Sequence, residues 1–314
     1  MRRYVLRRLR HTLVMLFGLT LIVFGLLQLA PGNPADYLIP ETVTDPGQRE
    51  RIIAELGLDQ PPLVQYGNWV SGAVRGDFGT AYTYRQPALE IIATRATATF
   101  QLQAVVIVLS ILIAIPAGVI AAVKRDSFLD HSITTSTLFG LSMPNFWFAL
   151  LLIMFFSVRL QWLPAFGAGN EPSVWANWRH FVLPVTVLCL ALVPWYARFV
   201  RAGMIDNLNR DYIRTSRALG VRERRVRYRH ALKPSLLPVI TIIGLSLPRL
   251  IAGSVVVETI FAWPGIGRLA YDAIVRGDFP VVMALAVLTG AFVMVANLLT
   301  DIVYALVDPR VVLD

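Results

Sequence analysis

Apolar and polar segments alternate along the chain, and six of the apolar runs are about 20 residues or longer. A run of this length is long enough to cross the hydrocarbon core of a bilayer as a helix. The pattern therefore predicts an all-α polytopic membrane protein with six transmembrane helices. The predicted spans are residues 9–30, 97–123, 133–158, 181–203, 236–261 and 279–307.

The polar segment after the first span has apolar residues at helical spacing, with turn residues between its parts. The stretches are GQRERIIAELGLD, PPLVQYGNWVSGAVRGDFG and RQPALEIIATRATATF. Helical spacing and this punctuation predict two or three short helices within residues 31–96. A disordered loop is the alternative, and the content of Leu, Ile, Trp69 and Phe78 argues against it.

Composition and charge agree with a membrane protein. The chain is 56% hydrophobic and 16% charged, which lies outside the range of soluble domains. Its net charge of +9 is compatible with nucleic-acid binding, but the distribution indicates another cause. With the N-terminus inside, 19 of the 29 basic residues fall in cytoplasmic segments, as the positive-inside rule expects. Both termini are therefore predicted to be cytoplasmic, with no nucleic-acid partner.

This topology divides the chain into segments. The first apolar run is longer than a cleavable signal region, so we expect an uncleaved signal-anchor helix. The expected segments are a cytoplasmic tail with that helix (1–30), an external segment (31–96), a membrane core (97–308) that includes a cytoplasmic loop (204–234), and a cytoplasmic tail (309–314).

The residues that carry common chemistries are scattered. Cys189 is the single cysteine, and the four histidines have no metal-ligand spacing. There is no GxxxxGK[ST] for a nucleotide, and Gly265-x-Gly267 follows an apolar run rather than a strand, so we interpret it as a turn before a re-entrant or surface helix. Few acids lie in the spans, which argues against a proton- or sodium-coupled carrier. The chain is predicted to be no enzyme and to bind no metal or cofactor itself.

A basic segment between the fourth and fifth runs is the part most suited to a partner protein. Residues 204–237 carry nine Arg and Lys and three acids. Asp211 is expected to cap a helix that reads YIRTSRAL, and Gly220 to supply the left-handed residue that ends it. A second helix, RERRVRYRHAL, is expected to stop against Pro234. The segment is thus predicted to form a protrusion of two short helices.

This segment resembles the cytoplasmic loop of permease subunits in ABC importers, where a Glu-Ala-Ala sequence precedes a fixed glycine and then Ile-x-Leu-Pro. Gly220 matches the glycine and Leu232 matches the leucine. The departures are similar to those of the dipeptide, oligopeptide and nickel branch: Arg214, Thr215 and Ser216 stand at the Glu-Ala-Ala positions, and Lys233 at that of Pro.

Other motifs extend the resemblance over nearly the whole chain. LGLDQPP and GDFG follow the first span, and ETIFAWPGIGRL and ALVDPRV lie near the C-terminus. The resemblance implies the type I ABC importer permease fold and a loop that couples to an ATPase. The implied coupling residues are Asp211, Arg214, Thr215, Ser216, Ala218, Leu219, Gly220, Val221 and Leu232.

The resemblance also implies an assembly in a bacterial or archaeal cytoplasmic membrane, surrounded by lipid. Its other members are a related permease subunit, two ATPase subunits that bind ATP and Mg, and an external substrate-binding protein. The implied function is ATP-driven import of peptides or similar small solutes. An ATP-independent carrier or channel remains the alternative, and a membrane-anchored scaffold is a third.

Polar residues within or beside the spans are candidates to line a substrate pathway: Arg249, Ser246, Ser142 and Asn145. Arg249 is near the middle of the fifth span, where a lipid-facing charge costs at least about 2.5–3.5 kcal/mol, so we expect it to face protein or water. It either lines the pathway, pairs with a partner subunit or extends toward an interface. The substrate stays open among dipeptides, longer peptides, glutathione, nickel complexes and glycosides.

Overall fold

The structure is a computed structural model that describes residues 2–29, 46–55, 57–169, 176–236, 238–240, 242–244 and 254–307. Helices account for most of these residues, and the single β-bridge among them joins Thr80 to Pro87. In chain order the helices are α1 (Arg2–Leu29), α2 (Pro46–Glu55), α3 (Pro62–Val74), α4 (Ala88–Val123), α5 (Phe128–Ser142), α6 (Asn145–Leu152), α7 (Trp178–Leu208), α8 (Asp211–Ala218), α9 (Glu223–Arg225), α10 (Leu232–Ser235), α11 (Val255–Ile260), α12 (Ile266–Val275) and α13 (Phe279–Val307). Two π-helical segments, Ile153–Arg159 and Val226–Ala231, follow α6 and α9.

Four helices in the described part of the chain are long and apolar enough to cross a membrane, and a bent pair makes up to five. The four lie in α1, α4, α7 and α13 and correspond to predicted spans. The predicted span 236–261 is described only at its ends, because residues 245–253 lie outside the described residues. The chain is therefore an all-helical membrane protein with four or five candidate spans.

The predicted span 133–158 is interrupted by a bend and is not one continuous helix. α5 and the α6–π segment Asn145–Arg159 are bent by 99° at the break between them. Pro144 explains the break, because a proline disfavours helical backbone at the residue before it. Met143 accordingly has an extended conformation, with φ of −85° and ψ of 123°.

Two other helices extend beyond the limits of the predicted spans. α4 begins at Ala88 rather than at residue 97, and α7 covers Trp178–Leu208 rather than 181–203. Polar residues at a helix end lower the apolar average but supply no stop signal, so the helix continues beyond the apolar run. Pro116 of α4 and the two prolines of α7 lie inside these helices, which membrane helices tolerate.

The helices cluster into two compact units. One contains the described residues of Met1–Ala98 and Pro264–Leu298, and the other those of Thr99–Trp263 and Leu299–Val311. In the first unit, Asp278 is buried, and its two carboxylate oxygens accept the backbone N–H groups of Tyr82 and Thr83 at 3.1 and 3.0 Å. This carboxylate fixes the turn that precedes α4 against the start of α13.

The expected helices between the first two spans are present as α2 and α3. α3 packs on α1 through Tyr66, whose ring lies 5.3 Å from that of Phe24 and whose hydroxyl is 2.8 Å from Thr20 Oγ1. The helix expected after Gly265 is also present as α12, with Gly265 as its N-terminal cap residue. The contacts of Tyr66 thus hold α3 against α1 within the first unit.

In the second unit, α4 and α7 approach closely at Gly118. A Cβ at this position would lie 2.7 Å from the carbonyl oxygen of Ala197 and 2.7 Å from Val200 Cβ. Only a glycine leaves room for this approach, and small residues commonly serve this purpose between membrane helices. The same unit contains the segment that follows α7.

Candidate functional site

The basic segment after α7 folds into two short helical parts, as the sequence predicts. α8 is followed by Gly220, which has φ of +74°. Space does not limit this position, since a Cβ there would meet no atom within 4 Å among the described residues. The left-handed backbone is therefore what favours glycine. The prediction that Gly220 ends the first helix is confirmed.

Asp211 does not cap α8, contrary to the prediction. Arg210 is the N-cap residue and makes no side-chain cap hydrogen bond, while Asp211 is the first helical residue. Its carboxylate lies 3.5 Å from Arg214 in an exposed ion pair. An acid in the first turn still interacts favourably with the helix dipole, so Asp211 supports α8 in a different way.

The second helix does not stop at Pro234, which is also contrary to the prediction. Val226–Ala231 is π-helical, and α10 continues through Pro234 to Ser235. Pro234 has no N–H to donate to the carbonyl of His230, four residues earlier. The wider π turn directly before α10 adapts the backbone to the proline. α8 lies beside this π turn, since the Tyr212 hydroxyl is 3.5 Å from the His230 carbonyl oxygen and 2.8 Å from Asn207 Oδ1.

Glu223 ties the two helical parts to each other. Its carboxylate accepts hydrogen bonds from Arg217 at 3.0 Å and from Arg227 at 3.1 Å. The hydrogen bond from Arg217 is the largest cause of a lowered pKa at Glu223; partial burial opposes it, and Arg227 adds to it. Glu223 is 41% exposed, so water screens these pairs. The network therefore links α8 to the segment after Gly220 but contributes little stability.

A buried apolar cluster attaches this segment to α4 and α7. Ile213 of α8 and Val226 of the π segment are fully buried against residues of those helices. Asn207 Nδ2 donates to Ser235 Oγ at 3.1 Å, and a Cβ on Gly203 would lie 3.1 Å from the Ser235 carbonyl oxygen. We call residues 204–235 the coupling protrusion. This protrusion is therefore packed closely against α7 and α4.

The predicted coupling residues fall into two groups. Val221 and Leu232 pack against the buried cluster and support the protrusion from inside. Leu219 is 78% exposed, an unusual degree for a large apolar side chain. The remaining exposed members on α8 and its end are Asp211, Arg214, Thr215, Ala218 and Gly220, with Ser216 half-buried. This group forms an exposed surface with Leu219 as its apolar tip. Four further exposed arginines give the protrusion a basic flank: Arg222, Arg224, Arg225 and Arg229.

Sequence reasoning missed the ion pair that joins α5 to α7. Arg201 Nε and one of its terminal nitrogens donate to the two oxygens of Asp130, each at 2.7 Å. Asp130 is 2% exposed, and the backbone N–H of Asp126 also donates to it at 3.0 Å. The only sequence signal was an acid near the start of an apolar run, and 71 residues separate it from its partner.

The predicted pathway residues are not brought together by the described structure. Ser142 and Asn145 flank the bend between α5 and α6, and the Ser142 hydroxyl donates to the Leu138 carbonyl oxygen at 3.0 Å. Arg249 and Ser246 lie outside the described residues.

A fully buried acid, Glu258, occupies α11 in the second unit. Glu258 Oε1 accepts the hydroxyls of Thr99 at 2.9 Å and Ser254 at 2.8 Å. A buried polar group is stabilised by such hydrogen bonds. Thr99 lies 159 residues away along the chain, so the sequence alone does not indicate this contact.

Comparison with known proteins places this architecture in a family. Residues 114–313 match the model of the binding-protein-dependent transport system inner membrane component, and residues 1–103 match its N-terminal companion. The chain belongs to the family of binding-protein-dependent transport system inner membrane components. In such ABC transporters the permease is a membrane subunit without a cofactor of its own, and ATP hydrolysis takes place on separate subunits.

Relatives match over the full length. The chain is 42% identical over 315 residues to the oligopeptide transport system permease protein AppB of Bacillus subtilis (strain 168), covering 99% of each chain. It is 35% identical over 335 residues to the dipeptide transport system permease protein DppB of Escherichia coli (strain K12), and 38% identical over 311 residues to the glutathione transport system permease protein GsiC of Escherichia coli O1:K1 / APEC, again with 99% of each chain covered.

The fold resembles a solved ABC transporter. An inward-facing structure of the MetNI methionine ABC transporter matches with a TM-score of 0.58 at 18% identity, covering 70% of this chain and 97% of that one. At this identity the likeness concerns the fold alone.

Proposed function

We propose that the chain is the permease subunit of an ATP-driven importer, forms half of its translocation pathway and carries peptides delivered by a binding protein. Full-length identity of 35–42% to oligopeptide and dipeptide permeases is the observation that carries this proposal. The glutathione permease is compatible with it, since glutathione is itself a small peptide. The second half of the pathway belongs to a homologous permease subunit.

In this proposal an ATPase subunit binds the coupling protrusion and moves it. Its exposed tip, Leu219, suits an apolar pocket on a partner, and its basic flank suits an acidic rim. ATP closes the ATPase pair, and the ATPase subunit bound to α8 then moves the protrusion. The contacts of Ser235 with Gly203 and Asn207 pass this movement to α7. The pathway then alternates between two openings.

The proposed topology has six spans in the type I importer arrangement, with residues 236–261 as the fifth. Both termini and residues 204–234 are cytoplasmic, and residues 31–96 are external. The concentration of basic residues in the protrusion supports this orientation. Under the same topology Arg249 faces protein or the pathway, because the cost of a charge facing lipid is high.

Uptake into proteoliposomes tests the function. The assembled transporter is reconstituted with its binding protein outside and ATP inside, and radiolabelled trialanine is supplied. We expect accumulation that needs both ATP and the binding protein. Uptake that persists without ATP would instead identify a carrier or channel, and the absence of flux for peptides of two to five residues would remove the peptide assignment.

A further inference from the structure

An apolar groove of about 630 Å³ lies between α4 and α7 in the second unit. Gln101 is the one polar residue among the described residues that line it, and Trp178 borders it at the start of α7. The rest of the lining is apolar: Ala104, Val105, Val108 and Leu109 of α4, and Phe181, Val182 and Val185 of α7. This volume falls within the range of small-molecule sites. The lining suits a hydrocarbon ligand, and we call this site the α4–α7 groove.

α4 and α7 run in the same direction along this groove. The Ser110 hydroxyl of α4 donates to Cys189 Sγ of α7 at 3.4 Å, and 79 positions separate the two residues. Gly118 closely approaches Ala197, which is at the same separation along the chain. At this spacing Gln101 is level with the first turn of α7. The polar end of the groove is therefore the end at which α7 begins.

The first turn of α7 lies at the surface of the membrane. Phe181–Ala197 is an uncharged stretch of 17 residues, which rises about 25 Å as a helix. This length is close to the thickness of the hydrocarbon core, about 30 Å. The groove extends along α7 from Trp178 to Val185, a rise of about 10 Å, so it stays within one leaflet. An acyl chain of a lipid from that leaflet matches this position.

Arg179 supplies a positive charge at the polar end of the groove. It follows Trp178 directly and is exposed. One of its terminal nitrogens donates to the carbonyl oxygen of Trp162, which holds the guanidinium beside a second exposed tryptophan. A guanidinium carries several N–H groups, so donors remain for a phosphate oxygen. Tryptophan is enriched at the level of lipid headgroups, which agrees with this location.

A polar pocket of about 470 Å³ lies next to the groove. The described residues that line it include Gln161, Arg179 and His180 and no acid. Arg179 lines the pocket and Trp178 lines the groove, and the Cα atoms of these consecutive residues are about 3.8 Å apart. A positively charged pocket thus lies directly beside an apolar groove, at the membrane surface.

We propose that an anionic phospholipid occupies this site, with one acyl chain in the α4–α7 groove and its phosphate bound by Arg179. Guanidinium groups bind phosphate through charge-assisted hydrogen bonds. A phospholipid joins hydrocarbon and anion in one molecule, in the order in which the groove and the pocket lie. A transmembrane helix of a partner subunit would cover the apolar groove but would supply no anion for the pocket.

Native mass spectrometry of the assembled transporter tests this proposal. The transporter is placed in nanodiscs of equal parts phosphatidylcholine and phosphatidylglycerol, and the lipids that it retains after release are identified. Arg179→Gln removes the charge, and Arg179→Lys keeps it. Ala104→Phe fills the groove from an exposed position, so it requires no change in the protein interior.

The matched controls are Arg75→Gln and Ala93→Phe. Both positions are exposed, and neither residue lines the groove or the pocket. They therefore reproduce the loss of a positive charge and the gain of an aromatic ring outside the proposed site.

We expect the most tightly retained lipid of the wild type to be one phosphatidylglycerol for each copy of this chain. The fraction of transporter that carries this lipid should fall at least about tenfold in Arg179→Gln, as the loss of a charge-assisted hydrogen bond predicts. It should fall in Ala104→Phe as well, recover largely in Arg179→Lys and stay unchanged in both controls.

Equal retention of phosphatidylglycerol by wild type and Arg179→Gln would reject the proposal, and so would equal retention of the two lipids by wild type. If Ala104→Phe separates this chain from another permease subunit while Arg179→Gln keeps the lipid, a helix of that subunit occupies the groove instead. The Arg179 variants decide the outcome even where Ala104→Phe fails to assemble, because they leave the groove unchanged.

Discussion

The guanidinium of Arg201 lies against the carboxylate of Asp130 with two hydrogen bonds of 2.7 Å, so that the start of α5 is joined to the C-terminal third of α7. The acid is 2% exposed and the arginine 32% exposed. The pair therefore lies at the edge of the protein interior, close to the base of the coupling protrusion. It connects the first arm of the bent pair to the helix that carries the protrusion.

Asp130→Asn should destabilise the protein, because it leaves the Arg201 charge without its partner. Breaking a buried pair on one side is strongly destabilising, and the partial exposure of Arg201 reduces the loss here to about 2–3 kcal/mol. Thermal unfolding in detergent measures the change. Asp206→Asn, which removes an exposed pair with Arg210, is the control and should lower the melting temperature clearly less, because water screens an exposed pair. Equal effects of the two variants would contradict the conclusion that Asp130 and Arg201 form a buried ion pair.

Gly118→Ala should also destabilise the protein, since the added methyl group would overlap Ala197 and Val200. Overpacking of this kind costs about 1–3 kcal/mol. Gly67→Ala in α3 is the control, because a Cβ there meets no described atom within 4 Å. Alanine also favours a helix over glycine, so the control should be neutral or slightly stabilising. An unchanged melting temperature for Gly118→Ala would show that α4 and α7 are not in close contact.

The pH dependence of the protrusion should follow Glu223. Its pKa is lowered from the ordinary value of 4.5 by hydrogen bonding to Arg217 above all. The folded state therefore favours the charged carboxylate, and this stabilisation is complete above pH 4.5 and is lost as pH falls through the lowered pKa. The difference in melting temperature between wild type and Glu223→Gln should be small, largest near neutral pH, and should vanish in acid. A difference that grows toward acid pH would contradict the pairing.

Gly220 allows backbone and charge effects to be separated. Asn tolerates the left-handed conformation, so Gly220→Asn should keep the turn at a cost of about 1 kcal/mol or less. Gly220→Asp has nearly the same size but adds a negative charge to the proposed contact. We expect Asp to lower uptake and stimulated ATP hydrolysis together at least tenfold, while Asn retains most of both. Full transport by Gly220→Asp would refute a coupling role at this position.

Apolar run length predicted the class of the protein, because a membrane requires long apolar helices and leaves a strong signal in composition. The ends of the helices were predicted poorly, because the length of an apolar run does not mark where a helix begins or ends. The stretch that begins at Ala88 was predicted as helical but separate from the second span, and the structure shows one continuous helix, because nothing in the stretch stops it. Pro144 favours a break in the helix, but the angle of 99° depends on packing that a sequence does not display.

In the coupling protrusion, local chemistry was predictable and contacts over long sequence distances were not. A glycine at a helix end predicts left-handed backbone, and Gly220 has it. Pro234 predicts a helix stop, but a preceding π turn allowed the helix to continue. Arg201 and Asp130 carry no mutual signal in one sequence, because a pair 71 residues apart depends on the three-dimensional packing.

Photo-crosslinking from Leu219 tests the central claim most directly, that the tip of the coupling protrusion contacts an ATPase subunit. A cysteine is placed at this position in a Cys189→Ser background and labelled with a benzophenone reagent in the assembled transporter. A cysteine at Val74, an 83% exposed residue of the proposed external segment, is the matched control. We predict an adduct with the ATPase from position 219 and none from position 74. An ATPase adduct from position 74, or its absence from position 219, would contradict the account.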